Sequence, residues 1–258
     1  MTKEMLGSLE LDRIYQMDCI EGMKLLPDKS IDMILCDLPY GTTACKWDSV
    51  IPFEPLWEQY ERIIKDDGAI VLTATQPFSS ALVMSNPKLF KYEWIWKKNA
   101  PAGFQTVKTQ PLREHEVVLV FSKGTIASGS PRNMKYYPQG LIEVNKEKRV
   151  GKKPKYIGAR PKQEGKVYTQ KYTNYPRTVL EFSKDPRPVH PTQKPVALFE
   201  YLIKTYTLEG EIVLDNCMGS GTTAVAALRS GRHFIGFELE REYIEIANKR
   251  LENVWDGV

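Results

Sequence analysis

An α/β fold on a mostly parallel sheet is what this sequence of 258 residues predicts, and three observations carry the prediction. Short apolar runs alternate along the chain with stretches of helical period, as expected for strands covered by helices. One run, Ile31 to Cys36, is nearly all apolar, as a parallel strand packed on both faces must be. Near the C-terminus, Ile212 to Glu238 reads as strand, glycine turn, helix and strand in one unit.

Composition sets the bounds. With 42% hydrophobic residues the chain can fill one sizeable domain with an insertion, or two modest domains. Cys19, Cys36, Cys45 and Cys217 are too scattered for a C-x-x-C metal site or a disulfide framework, and read as packing residues in a reducing compartment. No stretch approaches the roughly 18 apolar residues of a membrane span, and the first residues lack an apolar signal core, so a cytoplasmic protein without a membrane partner is expected. The formal charge of +4 is unevenly placed. Residues 124–188 carry 15 Lys plus Arg against 5 Asp plus Glu, a local +10 that leaves the remainder at −6. Such a segment is built for an anionic partner.

In order, Arg13 to Met17 predicts a short strand leading to Asp18, followed by a helical stretch from Glu21 to Leu26 and a turn at Pro27-Asp28. The strand Ile31 to Cys36 delivers Asp37 to the same edge of the sheet. Pro52 to Lys65 places Phe53, Leu56, Trp57, Tyr60, Ile63 and Ile64 at helical spacing, and Asp66-Asp67-Gly68 closes that helix before the strand Ala69 to Thr73. Pro77 to Met84 predicts a short helix, and Tyr92 to Trp96 and Val117 to Phe121 two more strands. From Lys123 to Pro188 no apolar period is sustained and no strong secondary structure is predicted. Seven aromatics, Tyr136, Tyr137, Tyr156, Tyr168, Tyr172, Tyr175 and Phe182, are interleaved with the basic residues there, a mixture suited to phosphate contact and base stacking. Regular structure resumes with the helix Val196 to Tyr206, the strand Glu211 to Leu214, the helix Thr222 to Ser230, the strand His233 to Phe237 and the helix Arg241 to Leu251.

Asp37-Leu38-Pro39-Tyr40 is the first candidate site. The residue before a proline is pushed into an extended conformation, so the Leu38 carbonyl points in a fixed direction beside the Asp37 carboxylate. Two acceptors and a flat ring suit a nucleotide base, whose exocyclic amine offers two N–H donors and whose π-face can lie on Tyr40. The same four residues also suit an ordinary strand-to-turn exit.

The second candidate is Asp215-Asn216-Cys217-Met218-Gly219-Ser220-Gly221-Thr222-Thr223-Ala224, in which Gly219, Gly221 and Ala224 match G-x-G-x-x-G/A. Glu238 follows at the end of the next strand, where an acid can accept from ribose hydroxyls. A nucleoside-containing cofactor is indicated, with NAD and S-adenosylmethionine both open. Only one strand and one helix follow this fingerprint and its helix, so the other strands must come from the N-terminal half, in a permuted sheet that sets the loop beside Asp37.

The order of these features, Asp37-Leu38-Pro39-Tyr40, the basic insertion, His190-Pro191-Thr192-Gln193-Lys194-Pro195 and the glycine loop, resembles the β-class amino-methyltransferases of DNA over nearly the whole chain. The resemblance implies a permuted Rossmann-like S-adenosylmethionine-dependent methyltransferase fold: a mostly parallel central sheet with helices on both faces and a basic inserted target-recognition region. It implies a catalytic half at 1–123, the insertion at 124–188 and a cofactor-binding half at 189–258. The substrate it implies is the exocyclic amine of a flipped-out adenine (N6) or cytosine (N4) in double-stranded DNA, and an initial Asp favours adenine. The family more often has proline where this chain has Leu38.

By the same resemblance Asp37 and the Leu38 carbonyl accept from the target amine, Pro39 shapes the turn and Tyr40 stacks on the base. Asp18, Thr192, Lys194, Asp215, Gly219, Gly221, Thr222 and Glu238 are then the cofactor contacts. Lys152, Lys153, Lys155 and Arg160 are the expected DNA contacts, no metal is required, and a homodimer is left open. An NAD-dependent oxidoreductase would leave the basic insertion without a purpose. A noncatalytic binding module would do the same for the glycine loop with Glu238.

Overall fold

A computed structural model of the chain describes residues 4–41, 49–151, 165–185 and 193–255. Two compact units are present: residues 1–137 with 178–258, and residues 138–177.

The larger unit is built on one eight-stranded sheet. Its strands are β3 (Arg13–Gln16), β4 (Ile31–Cys36), β5 (Ile64–Ala74), β6 (Phe90–Ala102), β7 (Arg113–Phe121), β10 (Val179–Glu181), β11 (Ile212–Asp215) and β12 (His233–Glu238), in the order β10-β6-β7-β5-β4-β11-β12-β3. Only β7 runs antiparallel to its neighbours β5 and β6; every other pairing is parallel. A two-residue pair, β1 (Met5–Leu6) and β2 (Leu9–Glu10), precedes it. The expected permutation is present: β11 pairs directly with β4, Val213 opposite Met33 and Leu214 opposite Ile34, and the N-terminal β3 closes the edge beyond β12.

Alternation along the strands explains their near-continuous apolar sequences. Met33, Leu35, Ala69, Val71, Val213 and Phe234 pack into one core with helices α4 (Val196–Tyr206), α5 (Thr222–Arg229) and α6 (Arg241–Trp255). Their neighbours Ile34, Cys36, Ile70, Leu72, Leu214 and Ile235 pack into a second core with α1 (Cys19–Lys24), α2 (Phe53–Ile63) and α3 (Phe78–Ser85). Both faces of the central strands are therefore dry, and only apolar side chains fit at either parity. Among the described residues no helix is long and apolar enough to cross a membrane.

The one polar residue in β4, Asp32, is almost wholly buried and acts as a clamp at the strand's N-terminal end. It accepts from Lys65 at 2.7 Å, from Lys135 at 2.8 Å and from the Ile212 backbone N–H at 3.1 Å, while Lys135 also pairs with Glu211. Burial alone would raise the Asp32 carboxyl, but the two lysines and the backbone donor outweigh it and hold it below the usual carboxylate range.

The smaller unit corrects the expectation that residues 123–188 lack regular structure. Strands β8 (Ile142–Arg149) and β9 (Val167–Thr173) form an antiparallel ribbon, and β10 is a parallel edge strand of the main sheet. The ribbon escaped the sequence reading because both of its faces are largely exposed, which leaves no apolar alternation to detect. Residues 124–137 and 178–188 of the expected insertion fall with the larger unit.

Replacing Asp32 with Ala strands the Lys135 ammonium beside Glu211 alone and the Ile212 N–H with no acceptor. The expected loss in unfolding free energy is about 3 kcal/mol, read from urea denaturation, whereas Lys65→Ala, at a more exposed partner, should cost under about 1 kcal/mol.

Candidate active site

The carboxyl ends of the central strands open into one cavity of about 800 Å³. β4 delivers Asp37 to it, β11 ends on Asp215, β12 ends on Glu238, and Asp18 follows β3, so the four acids singled out in the sequence stand on one rim in strand order. The sheet extends from β4 toward β5 in one direction and from β11 toward β12 in the other. That reversal point is where open α/β sheets bind ligands.

At the β4 end, Asp37 is held by three side chains. Its Oδ1 accepts from the Tyr40 hydroxyl at 2.6 Å and from the Thr73 hydroxyl, and its Oδ2 from the Lys194 ammonium at 2.7 Å. Leu38 buries its side chain in the core. Its carbonyl accepts no hydrogen bond from the described residues, and the residue lines the cavity beside Asp37. The Tyr40 ring packs on Phe78 with centroids 5.2 Å apart, so its orientation is set both by that contact and by its hydroxyl. Burial, and next the charge of Asp37, push the Tyr40 phenol well above its ordinary value, which keeps it a donor.

Lys194, expected from the resemblance as a cofactor contact, lines the same cavity as the glycine loop and is paired there with two carboxylates. Its ammonium lies between Asp37 Oδ2 at 2.7 Å and Glu116 Oε2 at 3.3 Å, and Glu116 Oε1 pairs in turn with Lys98 at 2.5 Å. Burial alone would lower the Lys194 ammonium, but Asp37 and Glu116 outweigh it and raise it. Glu116 is likewise pushed up by burial and drawn below the usual carboxylate range by Lys194 and Lys98. Four charges thus alternate in sign, Lys194, Glu116 and Lys98 nearly buried and Asp37 partly exposed to the cavity.

At the β11 end, the glycine loop is folded by its own acids. Asp215 Oδ1 accepts the Cys217 backbone N–H at 3.0 Å and its Oδ2 the Thr223 hydroxyl at 2.5 Å. Full burial pushes the Asp215 carboxyl up to about 6, despite these donors. Glu238 Oε2 accepts the Gly219 N–H at 2.7 Å, and its Oε1 the N–H groups of Leu239 and Glu240 at 2.8 and 2.9 Å. Expected as a ribose acceptor, Glu238 also ties the loop to the end of β12, and three donors leave part of its acceptor capacity free. Asp18 caps α1 through Oδ1, taking Ile20 N–H at 2.9 Å and Glu21 N–H at 3.1 Å, while facing the same cavity.

Gly219 and Gly221 both have positive φ, +51° and +81°. A Cβ at Gly219 would meet only the Cys217 carbonyl oxygen, at an unstrained 4.0 Å, whereas one at Gly221 would stand 2.7 Å from the Ala247 Cβ of α6. The first glycine therefore serves the turn, and the second serves helix packing as well. Thr222 opens α5 at the cavity wall, and Arg250 of α6 reaches the Ser220 carbonyl at 2.6 Å and the Thr222 hydroxyl at 3.3 Å.

Thr73, Lys98, Glu116 and Arg250 were not singled out in the sequence. Each comes from a different element with no local motif, and only the tertiary fold brings them to the site. Thr192, Lys152, Lys153, Lys155 and Arg160 lie outside the described residues. So does Cys45, while Cys19 and Cys36 are buried packing residues and Cys217 is partly buried.

Residues 31–249 match the family model of the N6/N4 DNA methylases. Type II methyltransferase M1.MboII of Moraxella bovis is 29% identical, with 93% of this chain and 96% of the relative covered. M.HpaI of Haemophilus parainfluenzae is 28% identical over 95% of this chain and 76% of its own. Among solved structures, the M1.HpyAVI–SAM complex shares 27% identity and a TM-score of 0.59 over 92% of this chain and 98% of that one. The cytosine-N4-specific PvuII DNA methyltransferase, at 16% identity and a TM-score of 0.66 over 92% and 85%, shares the fold.

The two glycines separate turn strain from packing. Gly219→Ala should cost about 1 kcal/mol, the left-handed backbone alone. Gly221→Ala adds the overlap with Ala247 and should cost about 2–4 kcal/mol. Chemical denaturation of both variants, compared side by side, checks the order.

Proposed function

Because the chain belongs to the N6/N4 DNA methylase family, we propose that it methylates the N6 amine of adenine in double-stranded DNA, with S-adenosylmethionine as methyl donor. The observation that carries this reading is the Asp37 carboxylate beside the open Leu38 carbonyl, on a cavity that continues to the glycine loop and Glu238. The choice of adenine over cytosine rests on the family resemblance, in which an initial Asp favours adenine; a carboxylate acceptor by itself would serve either amine.

The residues fit the donor. Gly219 and Gly221 let backbone approach it, Glu238 retains acceptor capacity for ribose hydroxyls, and Asp18 and Ile20 line the same wall. When bound, S-adenosylmethionine supplies an electrophilic methyl group on a sulfonium.

The chain's own residues prepare the nucleophile. An exocyclic amine conjugated to its ring is a weak nucleophile, because its lone pair is delocalised. Acceptors at Asp37 and the Leu38 carbonyl take its two N–H groups and draw the nitrogen toward tetrahedral geometry, which localises the lone pair. Tyr40, fixed by Phe78 and by its bond to Asp37, offers a rigid face for the base. Positioning and preorganised charge supply most of the rate, and Asp37 or water takes the proton that the methylated amine releases.

For the DNA, the ribbon of the smaller unit offers a suitable surface. Residues 138–177 contain 11 Lys plus Arg against 3 Asp plus Glu, most of the charge excess of the insertion. Cross-strand pairing puts Lys148 opposite Tyr168 and Lys146 opposite Gln170, so one face carries Lys146, Lys148, Tyr168, Gln170 and Tyr172. Tyr168 and Tyr172 are exposed. A two-stranded ribbon fits the major groove, and basic and aromatic side chains on one face suit phosphates and bases.

Asp37→Ala should abolish transfer of tritiated methyl to unmethylated DNA while calorimetry shows S-adenosylmethionine binding nearly intact. Loss of cofactor binding by a folded variant would remove Asp37 from this role. Nucleoside mass spectrometry of the product should show N6-methyladenine, and N4-methylcytosine alone would overturn the choice of base. Lys146→Ala and Lys148→Ala should each flatten the salt dependence of DNA binding, by about 0.9 in slope for each phosphate no longer neutralised; an unchanged slope would make the ribbon a solvated surface.

A further inference from the structure

Lys194 is bound where the reaction needs an acceptor. If Asp37 receives the target amine, as proposed for the reaction, its Oδ1 already takes two hydroxyls and its Oδ2 the Lys194 ammonium at 2.7 Å, so the amine is left one acceptor site, on the oxygen the ammonium holds. An ammonium there also opposes the chemistry, because the amine nitrogen becomes positive as it takes the methyl group, and like charges on one carboxylate repel. Lys194 cannot leave for water: its side chain is 7% exposed, and an unpaired buried charge is costly.

A second carboxylate is in reach. Glu116 Oε2 lies 3.3 Å from Lys194 Nζ, an ion pair longer than the 2.7 Å bond to Asp37, and it is a buried oxygen that has no full hydrogen bond among the described residues. A buried acceptor left open in this way calls for an explanation. Glu116 is rigidly placed. Its strand β7 pairs with β6, with Glu116 opposite Trp96, and Lys98 of β6 holds the other oxygen at 2.5 Å.

We propose that Glu116 is a positioning residue that receives Lys194: when the target base enters, the ammonium moves from Asp37 Oδ2 onto Glu116 Oε2 and uncovers the oxygen that accepts the amine. The move is short, keeps Lys194 paired throughout and leaves the charge of the four groups unchanged. It takes a positive neighbour away from Asp37 at the moment positive charge develops on the amine. Without the base, the bond to Lys194 keeps Asp37 compensated.

The experiment is a double-mutant cycle on single-turnover methyl transfer, with cofactor Kd, DNA Kd and Tm as controls. Glu116→Gln keeps the shape and removes the charge, so the ammonium stays on Asp37. The transfer rate should fall about ten- to a hundredfold with both dissociation constants nearly unchanged. Glu116→Asp, which keeps the charge, should recover part of that loss. On a Lys194→Gln background the Glu116→Gln change should cost nothing further, because there is no ammonium left to move.

Losses that multiply in the double variant, or a Glu116→Gln enzyme as fast as wild type, overturn the inference, since a residue that only props β6 and β7 acts independently of Lys194. If Glu116→Gln lowers the Tm, Glu116→Asp carries the same comparison, its smaller loss vanishing on the Lys194→Gln background. A wild-type chain that moves no label onto DNA overturns the reaction itself and the inference with it; an active wild type with multiplicative losses overturns the inference alone.

Discussion

The pairing of β11 with β4 is the contact on which the rest of the site depends. It joins segments about 180 residues apart, and it is short, Val213 opposite Met33 and Leu214 opposite Ile34. Closing so long a loop costs entropy that a few ladder bonds cannot offset. The offset comes from the two cores on either face and from Asp32, whose oxygens hold Lys65, Lys135 and the first N–H of β11 at the end remote from the cavity. A polar clamp at one end leaves the carboxyl end free to carry chemistry. Asp37 and Asp215 then leave adjacent strands into the same crevice.

Charge compensation organises that crevice in two parts. Around the glycine loop the carboxylates are satisfied by hydroxyl and backbone donors, Thr223 and Cys217 N–H for Asp215 and three N–H groups for Glu238. These bonds shape the loop and bring no opposite charge, and burial accordingly pushes the Asp215 carboxyl up. Around Asp37 the acids face ammoniums, Lys194 and Lys98, and Glu116 stays below the usual carboxylate range. The first arrangement is suited to holding a cofactor in a fixed cradle. The second permits a charge to shift without leaving any group bare.

The order of motifs along the chain and the apolar character of the strands were enough to specify the permuted α/β sheet, the strand ends carrying Asp18, Asp37, Asp215 and Glu238, and the helices that cover both faces. Each is a local signal: a strand buried on both sides must be apolar at both parities, and a turn at positive φ selects glycine. Family resemblance supplied the roles of these residues. The β8–β9 ribbon gave no such signal, since its side chains face solvent on both sides and its register exists only through cross-strand pairing.

Tertiary structure alone decided which groups meet. Glu116 reads in sequence as one more charge before the apolar run Val117 to Phe121, and Lys98 and Thr73 are equally unremarkable in their strands. The antiparallel insertion of β7 between β5 and β6 sets them around Asp37. Lys194, expected as a cofactor contact, lies between the Asp37 and Glu116 carboxylates, where a buried ammonium finds opposite charge. Sequence by itself determined the strands and the acids at their ends, through periodicity and backbone conformation that act within a few residues. The distant partners of Asp37 (Thr73, Lys194 and, through it, Glu116) depended on strand order, which is set by the packing of the whole sheet.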